Sequence, residues 1–313
     1  MTKAGLLSTT SMALMTLFGC VGYRTPLLDS EKTESAIPIM GKDAGGDATP
    51  DLRRADGRLS DTRPPFVTSS LGGCTSGSPY VLVLGEDEIL YRFDPAALSL
   101  TAIAEVSCGG AGNSVLNSMT VSPIGPAYIS NETGSLCVVD MTTFAVRGTP
   151  FDPSLASYTG YGMALLPDNS PAGQTLFIAG DQGDSLSRID LTTFALTTIG
   201  PITPAVSSPE LTAGPNGELY GFSVGNFYPA LLLTIDPQTA QAIDVSAVPA
   251  GPYDQAFAFA LVDWEDDFYL FVGEANTQDA DVFRYRKGDL QVTHLGTLQV
   301  GIIGAGVAMC PAS

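Results

Sequence analysis

From about residue 67 onward the apolar positions fall in short strand-like runs, broken by turn residues, and the runs repeat. Five segments align: Leu90-Tyr91-Arg92-Phe93-Asp94, Cys137-Val138-Val139-Asp140, Ser187-Arg188-Ile189-Asp190, Leu233-Thr234-Ile235-Asp236 and Phe283-Arg284-Tyr285-Arg286. Two continue almost identically, as Asp140-Met141-Thr142-Thr143-Phe144-Ala145 and Asp190-Leu191-Thr192-Thr193-Phe194-Ala195. Positions 94, 140, 190, 236 and 286 are 46, 50, 46 and 50 residues apart. A strand-rich repeat near fifty residues is the signature of a propeller blade. In the third unit the four expected strands are 162–166, 175–179, 186–190 and 195–199. The high Gly and Pro counts, 34 and 22, fit short strands joined by many turns.

The ends of this region complement each other. Gly304-Ala305-Gly306-Val307-Ala308-Met309 matches a first strand such as Gly162-Met163-Ala164-Leu165, yet no further strands follow it. Residues 79–84 open a unit that lacks a first strand. The expected fold is therefore all-β: a five-bladed β-propeller closed by the C-terminal strand, with no free edge at the seam. In four of the five units the repeated Asp falls between the third and fourth strands, with Arg286 at that place in the fifth. Asp236-Pro237-Gln238-Thr239 has the Asp-Pro start of a type I turn, so Asp94, Asp140, Asp190 and Asp236 are expected to be turn staples rather than catalytic groups. The pattern Leu219-Tyr220-Gly221-Phe222 followed by Leu233-Thr234-Ile235-Asp236-Pro237-Gln238-Thr239 resembles the "LYG…TIDPxT" repeats of exported bacterial propellers. That resemblance covers most of 72–313 and implies fold, not activity.

Before residue 67 the pattern is different. Lys3 precedes an apolar stretch at 12–18, too short to span a membrane, which needs roughly 20 apolar residues. It stops at Leu17-Phe18-Gly19-Cys20, which resembles the lipobox of bacterial lipoproteins. The resemblance implies cleavage before Cys20 and a diacylglyceryl thioether on it. Acyl chains would then hold the protein on a membrane. Val21 after the Cys, in place of Asp, implies the outer membrane of the cell envelope. Residues 20–66 carry no sustained period of 2 or 3.6 and are rich in Asp, Gly, Ala and Pro, so they read as a disordered tether. Asp43, Asp47 and Asp51 are too widely spaced for a calcium loop. The expected organisation is a lipoprotein signal peptide at 1–19, a tether at 20–66 and the propeller at 67–313.

Charge narrows the partners. With 14 Lys+Arg against 33 Asp+Glu, the chain repels nucleic acid. Setting Cys20 aside leaves Cys74, Cys108, Cys137 and Cys310, an even number that suits an exported protein. Topology favours Cys74 with Cys310, across the closing seam, and Cys108 with Cys137. Zinc is not expected, because there is no C-x₂-C spacing and His294 is the single histidine.

No catalytic constellation is visible. A Ser–His–Asp triad would need His294, which aligns with the outermost strand of the last blade. Glycosidases of five-bladed form use carboxylates near the axis; Glu210 and Asp263 are the candidates, while five clear repeats and a lone Trp264 argue against that class. Ligands of exported propellers are expected on the face formed by the blade links and the loops between second and third strands. Those loops bring Glu86, Asp87 and Glu88; Glu132; Asp181 and Asp184; Asn226, Phe227 and Tyr228 within 223–229; and Asp279 and Asp281 within 274–281, with Tyr253 from a link. Two readings follow. In one, a lipid-anchored, non-catalytic scaffold binds a protein or glycan there without a cofactor. In the other, acidic loops hold Ca²⁺ in an exported hydrolase or lactonase. Solvated loops on an acidic protein carry the same residues, so convergence of carboxylates at the channel is the discriminating feature.

Overall fold

The computed structural model describes residues 79–309, apart from short segments at 110–114, 123–124, 157–159, 181–184, 226–227, 249–255, 275–277 and 288–290. The expectations for Cys20, Cys74 and Cys310 and for the 1–19 and 20–66 segments lie outside the described residues.

Five four-stranded antiparallel sheets stand in a ring, the expected five-bladed propeller. The second blade holds β4 (Leu116–Val121), β5 (Ala127–Asn131), β6 (Leu136–Val139) and β7 (Val146–Gly148). The third holds β8 (Tyr161–Pro167), β9 (Gln174–Gly180), β10 (Leu186–Ile189) and β11 (Leu196–Gly200). The fourth holds β12 (Glu210–Ala213), β13 (Leu219–Gly225), β14 (Tyr228–Ile235) and β15 (Ala242–Ala247). The fifth holds β16 (Ala256–Trp264), β17 (Asp267–Glu274), β18 (Ala280–Arg286) and β19 (Gln291–Leu298). The first is composite: β1 (Pro79–Gly85), β2 (Ile89–Asp94) and β3 (Ser99–Glu105) follow the last strand, β20 (Ile302–Met309), in the order β20-β1-β2-β3. Register runs from Pro79 opposite Met309 to Leu84 opposite Gly304.

The core lies between blades. In β1, Tyr80, Leu82 and Leu84 pack toward the second blade with Met119 and Ile129, while Val81 and Val83 pack toward the fifth with Val262 and Phe271. Three further clusters fill the remaining blade interfaces. Sheets covered on both faces need apolar residues at both parities, so these inner strands read as continuous apolar runs. The outer strands β3, β11 and β15 alternate or turn polar because one face meets water.

The recurrent Asp residues cap their turns. Asp140 Oδ1 accepts from the N–H groups of Thr142 and Thr143 at 2.9 and 2.8 Å, and Asp190 Oδ1 from Thr192 and Thr193 at 2.8 Å each. Asp94 accepts from Ala96 and Ala97, and Asp236 from Gln238. The turns run one residue further than a simple type I turn. The N–H of Phe144, Phe194 and Ala240 donates to the carbonyl of the Asp four back, and each of these residues is left-handed, with φ of 56°, 56° and 59°.

The five inner strands β20, β4, β8, β12 and β16 surround the axis. Their closest approaches need glycine. A Cβ at Gly304 would lie 2.5 Å from the Met119 nitrogen of β4, and one at Gly162 would lie 2.3 Å from the Pro209 carbonyl oxygen beside β12. Cys108, in the link from the first to the second blade, is bonded to Cys137 on β6, the predicted pairing.

Candidate functional site: the two mouths of the channel

Strand direction defines two faces. The upper face carries the blade links and the loops between second and third strands, and the inner strands begin there. The lower face carries the remaining turns, and the inner strands end there. Each mouth of the channel opens into a cavity.

The upper cavity has a volume of about 390 Å³ and is lined by Glu86, Asn117, Glu132, Tyr161, Glu210 and Phe259 among others. Its first- and second-blade loops are tied to the residues that lead into inner strands. Glu86 N–H donates to the Gly301 carbonyl at 2.9 Å, and Glu132 N–H donates to the Val115 carbonyl at 2.9 Å. Asn117 Nδ2 donates to the Tyr161 carbonyl at 3.1 Å, and the Tyr161 hydroxyl donates to the Gly134 carbonyl at 2.9 Å. Buried Asn131 organises the second-blade loop. Its Oδ1 accepts from the N–H groups of Thr133 and Ser135, and its Nδ2 donates to the Cys108 carbonyl at 2.6 Å. That bond ties the loop to the disulfide-linked blade link.

Glu210, the first residue of β12, is buried and accepts from Ser118 Oγ on β4 at 2.7 Å and from the Met163 N–H. Burial pushes its carboxyl well above the usual carboxylate range, against the lowering pull of the two donors. Burial also raises Glu86, helped by the neighbouring charge of Asp87. The mouth thus gathers Glu86, Glu132 and Glu210, although among the described residues no three acidic, His or Cys side chains are close enough to share one ion.

The other predicted site residues are dispersed. Asp87 holds its own loop, accepting from the Tyr91 hydroxyl at 2.6 Å and from the Ile89 N–H at 3.3 Å. Asp281 lies within β18 rather than on a loop, and accepts from Thr297 Oγ1 at 2.6 Å and shares a 3.1 Å hydrogen bond with His294 Nε2 on β19. His294 is thereby on the outermost strand of its blade, away from the channel. Asp279 is half-buried just before β18. Asp181, Asp184 and Tyr253 lie outside the described residues, as does the side chain of Tyr228, which opens β14.

The lower cavity is larger, about 610 Å³, and apolar in most of its lining. Val121, Leu165 and Val307 come from the ends of inner strands, Trp264 forms a wall, and Asp263, Glu265 and Asp266 stand at the rim. Asp263 is almost fully buried and ion-paired with Lys287 Nζ at 2.5 Å. Burial raises the Asp263 carboxyl; the lysine opposes that rise.

No family model matches the chain, and no curated protein matches it. Among solved structures, a chain of a nidogen/laminin complex is 11% identical with a TM-score of 0.48, over 75% of this chain and 100% of that one. An extracellular domain from B. thetaiotaomicron, described as part of the hybrid two component system BT4673, is 11% identical with a TM-score of 0.40. The match covers 75% of this chain and 29% of that one. Among the described residues no helix is long and apolar enough to cross a membrane.

Proposed function

We propose that the chain is a cell-envelope β-propeller, lipid-anchored through Cys20, that acts as a non-catalytic scaffold and holds a protein or glycan ligand at its upper mouth. The observation that carries this reading is the upper cavity itself. Glu86, Glu132 and Asn117 offer acceptors and a donor around a mouth lined by the half-buried Phe259, with the Tyr161 side chain packed beneath it in the core between the second and third blades. Carboxylates and an amide beside an aromatic ring suit a sugar or the cationic side chain of a protein. The loops that carry Glu86 and Glu132 are each held by a backbone hydrogen bond to the residue that leads into an inner strand, so these two carboxylates are placed before any ligand arrives, which lowers the ordering cost of binding.

Two experiments test the two halves of the proposal. Radiolabelled palmitate should enter the full chain and be absent from Cys20→Ser; equal labelling would reject the anchor. Immobilised full chain should retain envelope glycan or protein, and Glu86→Gln with Glu132→Gln should weaken retention about tenfold, some 1.4 kcal/mol. Unchanged retention would reject the upper mouth as the site.

One observation favours a calcium-dependent hydrolase instead: three glutamates face a single mouth. A thermal melt in calcium and then in EDTA separates the readings. A cation at ~100 times its Kd adds about 2.7 kcal/mol to stability, which a melt resolves. A shift would favour the enzyme reading, and no shift would favour the scaffold.

A further inference from the structure

We propose that the lower cavity is a second binding site, for a small organic cation with an apolar body. It is independent of the upper mouth and lies on the opposite face. At about 610 Å³ it falls in the size range of small-molecule pockets, and it is the larger of the two channel cavities. Its interior is apolar, built by Val121, Leu165, Val307 and the Trp264 ring. An apolar body gains by leaving water for such a surface.

Charge selects the other end of the ligand. The hairpin joining β16 and β17 sets Asp263, Glu265 and Asp266 around the mouth, the last two exposed. Neighbouring hairpins of the same face add Asp168 and Glu218. Of the cations near this rim, Lys287 pairs with Asp263, Arg284 lies 3.8 Å from Asp267 and Arg188 acts on Asp168, while Arg92 lines the adjoining cavity with Trp264 and Glu265. The lining of this cavity holds Asp263, Glu265 and Asp266 and no basic side chain among its described residues, so the opening favours a positive group.

The protein shows on this face how an ammonium is held. Lys287 Nζ sits 4.3 Å from the Phe268 ring centroid and 5.0 Å from that of Tyr220, with the Asp263 carboxylate beside it. Trp264 and the two rim carboxylates offer a ligand the same combination of ring face and negative charge. The turn itself departs from the usual chemistry. Glu265 and Asp266 are both left-handed, with φ of 51° and 66°, at a two-residue hairpin where Asn-Gly is the favoured pair. Two carboxylates thus occupy backbone positions that suit other residues better.

The single tryptophan of the chain makes the test direct, because Trp264 lines the cavity. Its emission in the full chain would be followed during titration with hexyltrimethylammonium, hexan-1-ol and hexanoate, which share a tail and differ in charge. A saturable change is expected with the cation, at about five- to tenfold lower concentration than with the alcohol, and weakest with hexanoate. Glu265→Asn with Asp266→Gly removes both charges and supplies residues that fit the turn, so its melting temperature should rise. Its affinity for the cation should nevertheless fall to that of the alcohol. The proposal is overturned if the alcohol binds as well as the cation, if the variant binds the cation as the parent does, or if no saturation is reached by roughly 10 mM.

Discussion

Substituting Gly304 by Ala tests whether the five inner strands are as tightly set as the geometry requires. Gly304 has no positive φ, so the cost lies in contact rather than backbone strain. The new Cβ would stand 2.5 Å from the Met119 nitrogen, 2.6 Å from its Cβ and 3.0 Å from its Cα. Those are main-chain atoms of β4 and the root of a fully buried side chain, with no flexible tip to yield. Relief requires β4 and β20 to separate by about 1 Å, and both are held in the ring by further neighbours. Overpacking of this kind costs about 1–3 kcal/mol. For a domain of this size each kcal/mol is worth roughly 2–4 °C, so Gly304→Ala should lower the melting temperature by about 2–12 °C. Gly148 provides the control, since a Cβ there meets nothing within 4 Å. Gly148→Ala should leave the melt unchanged or raise it slightly, through loss of unfolded-state freedom. The assay is differential scanning calorimetry of both variants beside the parent. A Gly304→Ala midpoint within about 1 °C of the parent would refute the close-packed channel.

Three further outcomes are expected. Replacing Cys108 and Cys137 by Ser opens a 29-residue loop and should cost about 3–4 kcal/mol in denaturant titration; an unchanged midpoint would mean that the bond adds nothing. Because Glu210 is raised in the folded state, the folded chain keeps a proton that the unfolded chain releases. Stability should therefore fall as pH climbs above 4.5, and Glu210→Gln should flatten that slope; parallel slopes would contradict the assignment. Asp140, Asp190 and Asp236 are lowered by the backbone N–H groups they accept from. Their contribution is present above 3.8 and is lost as pH falls through the lower folded values. Asp190→Ala should melt earlier at neutral pH and show a smaller acid-induced drop, while an identical acid profile would show that the staple is silent.

The blade repeat, the closing strand and the Asp staples were legible in the sequence because each is written in a few contiguous residues. In the third unit the observed strands lie within one residue of those expected. The fourth-blade loop is shorter than the turn residues at 223–229 imply, since β13 continues to Gly225 and β14 begins at Tyr228. Pro229 is tolerated there because it precedes the stretch of β14 that pairs with β15, which starts at Leu231. Asp281 reads as a loop residue for a similar reason: its alternate neighbours Ala280 and Val282 are the buried ones, so it marks the water-facing side of a strand. The larger cavity was not legible. Its lining includes Thr120, Leu165, Thr212, Trp264 and Val307, one from each inner strand and more than forty residues from the next, and only the ring brings them together. No local signal announces such a space.

The pairing of β1 with β20 also sets a timetable. The two strands that meet in the first blade are roughly 220 residues apart in the chain. At about 5–20 residues per second, a ribosome takes on the order of 10–40 s to travel from one to the other. During that interval β1, with the sequence PYVLVLG and all but its first residue buried in the finished fold, has an unpaired apolar edge. Blades two to five are each complete within a contiguous stretch, so the first blade is the last to be finished. Wherever the chain folds, the first blade cannot be completed until its final strand is available.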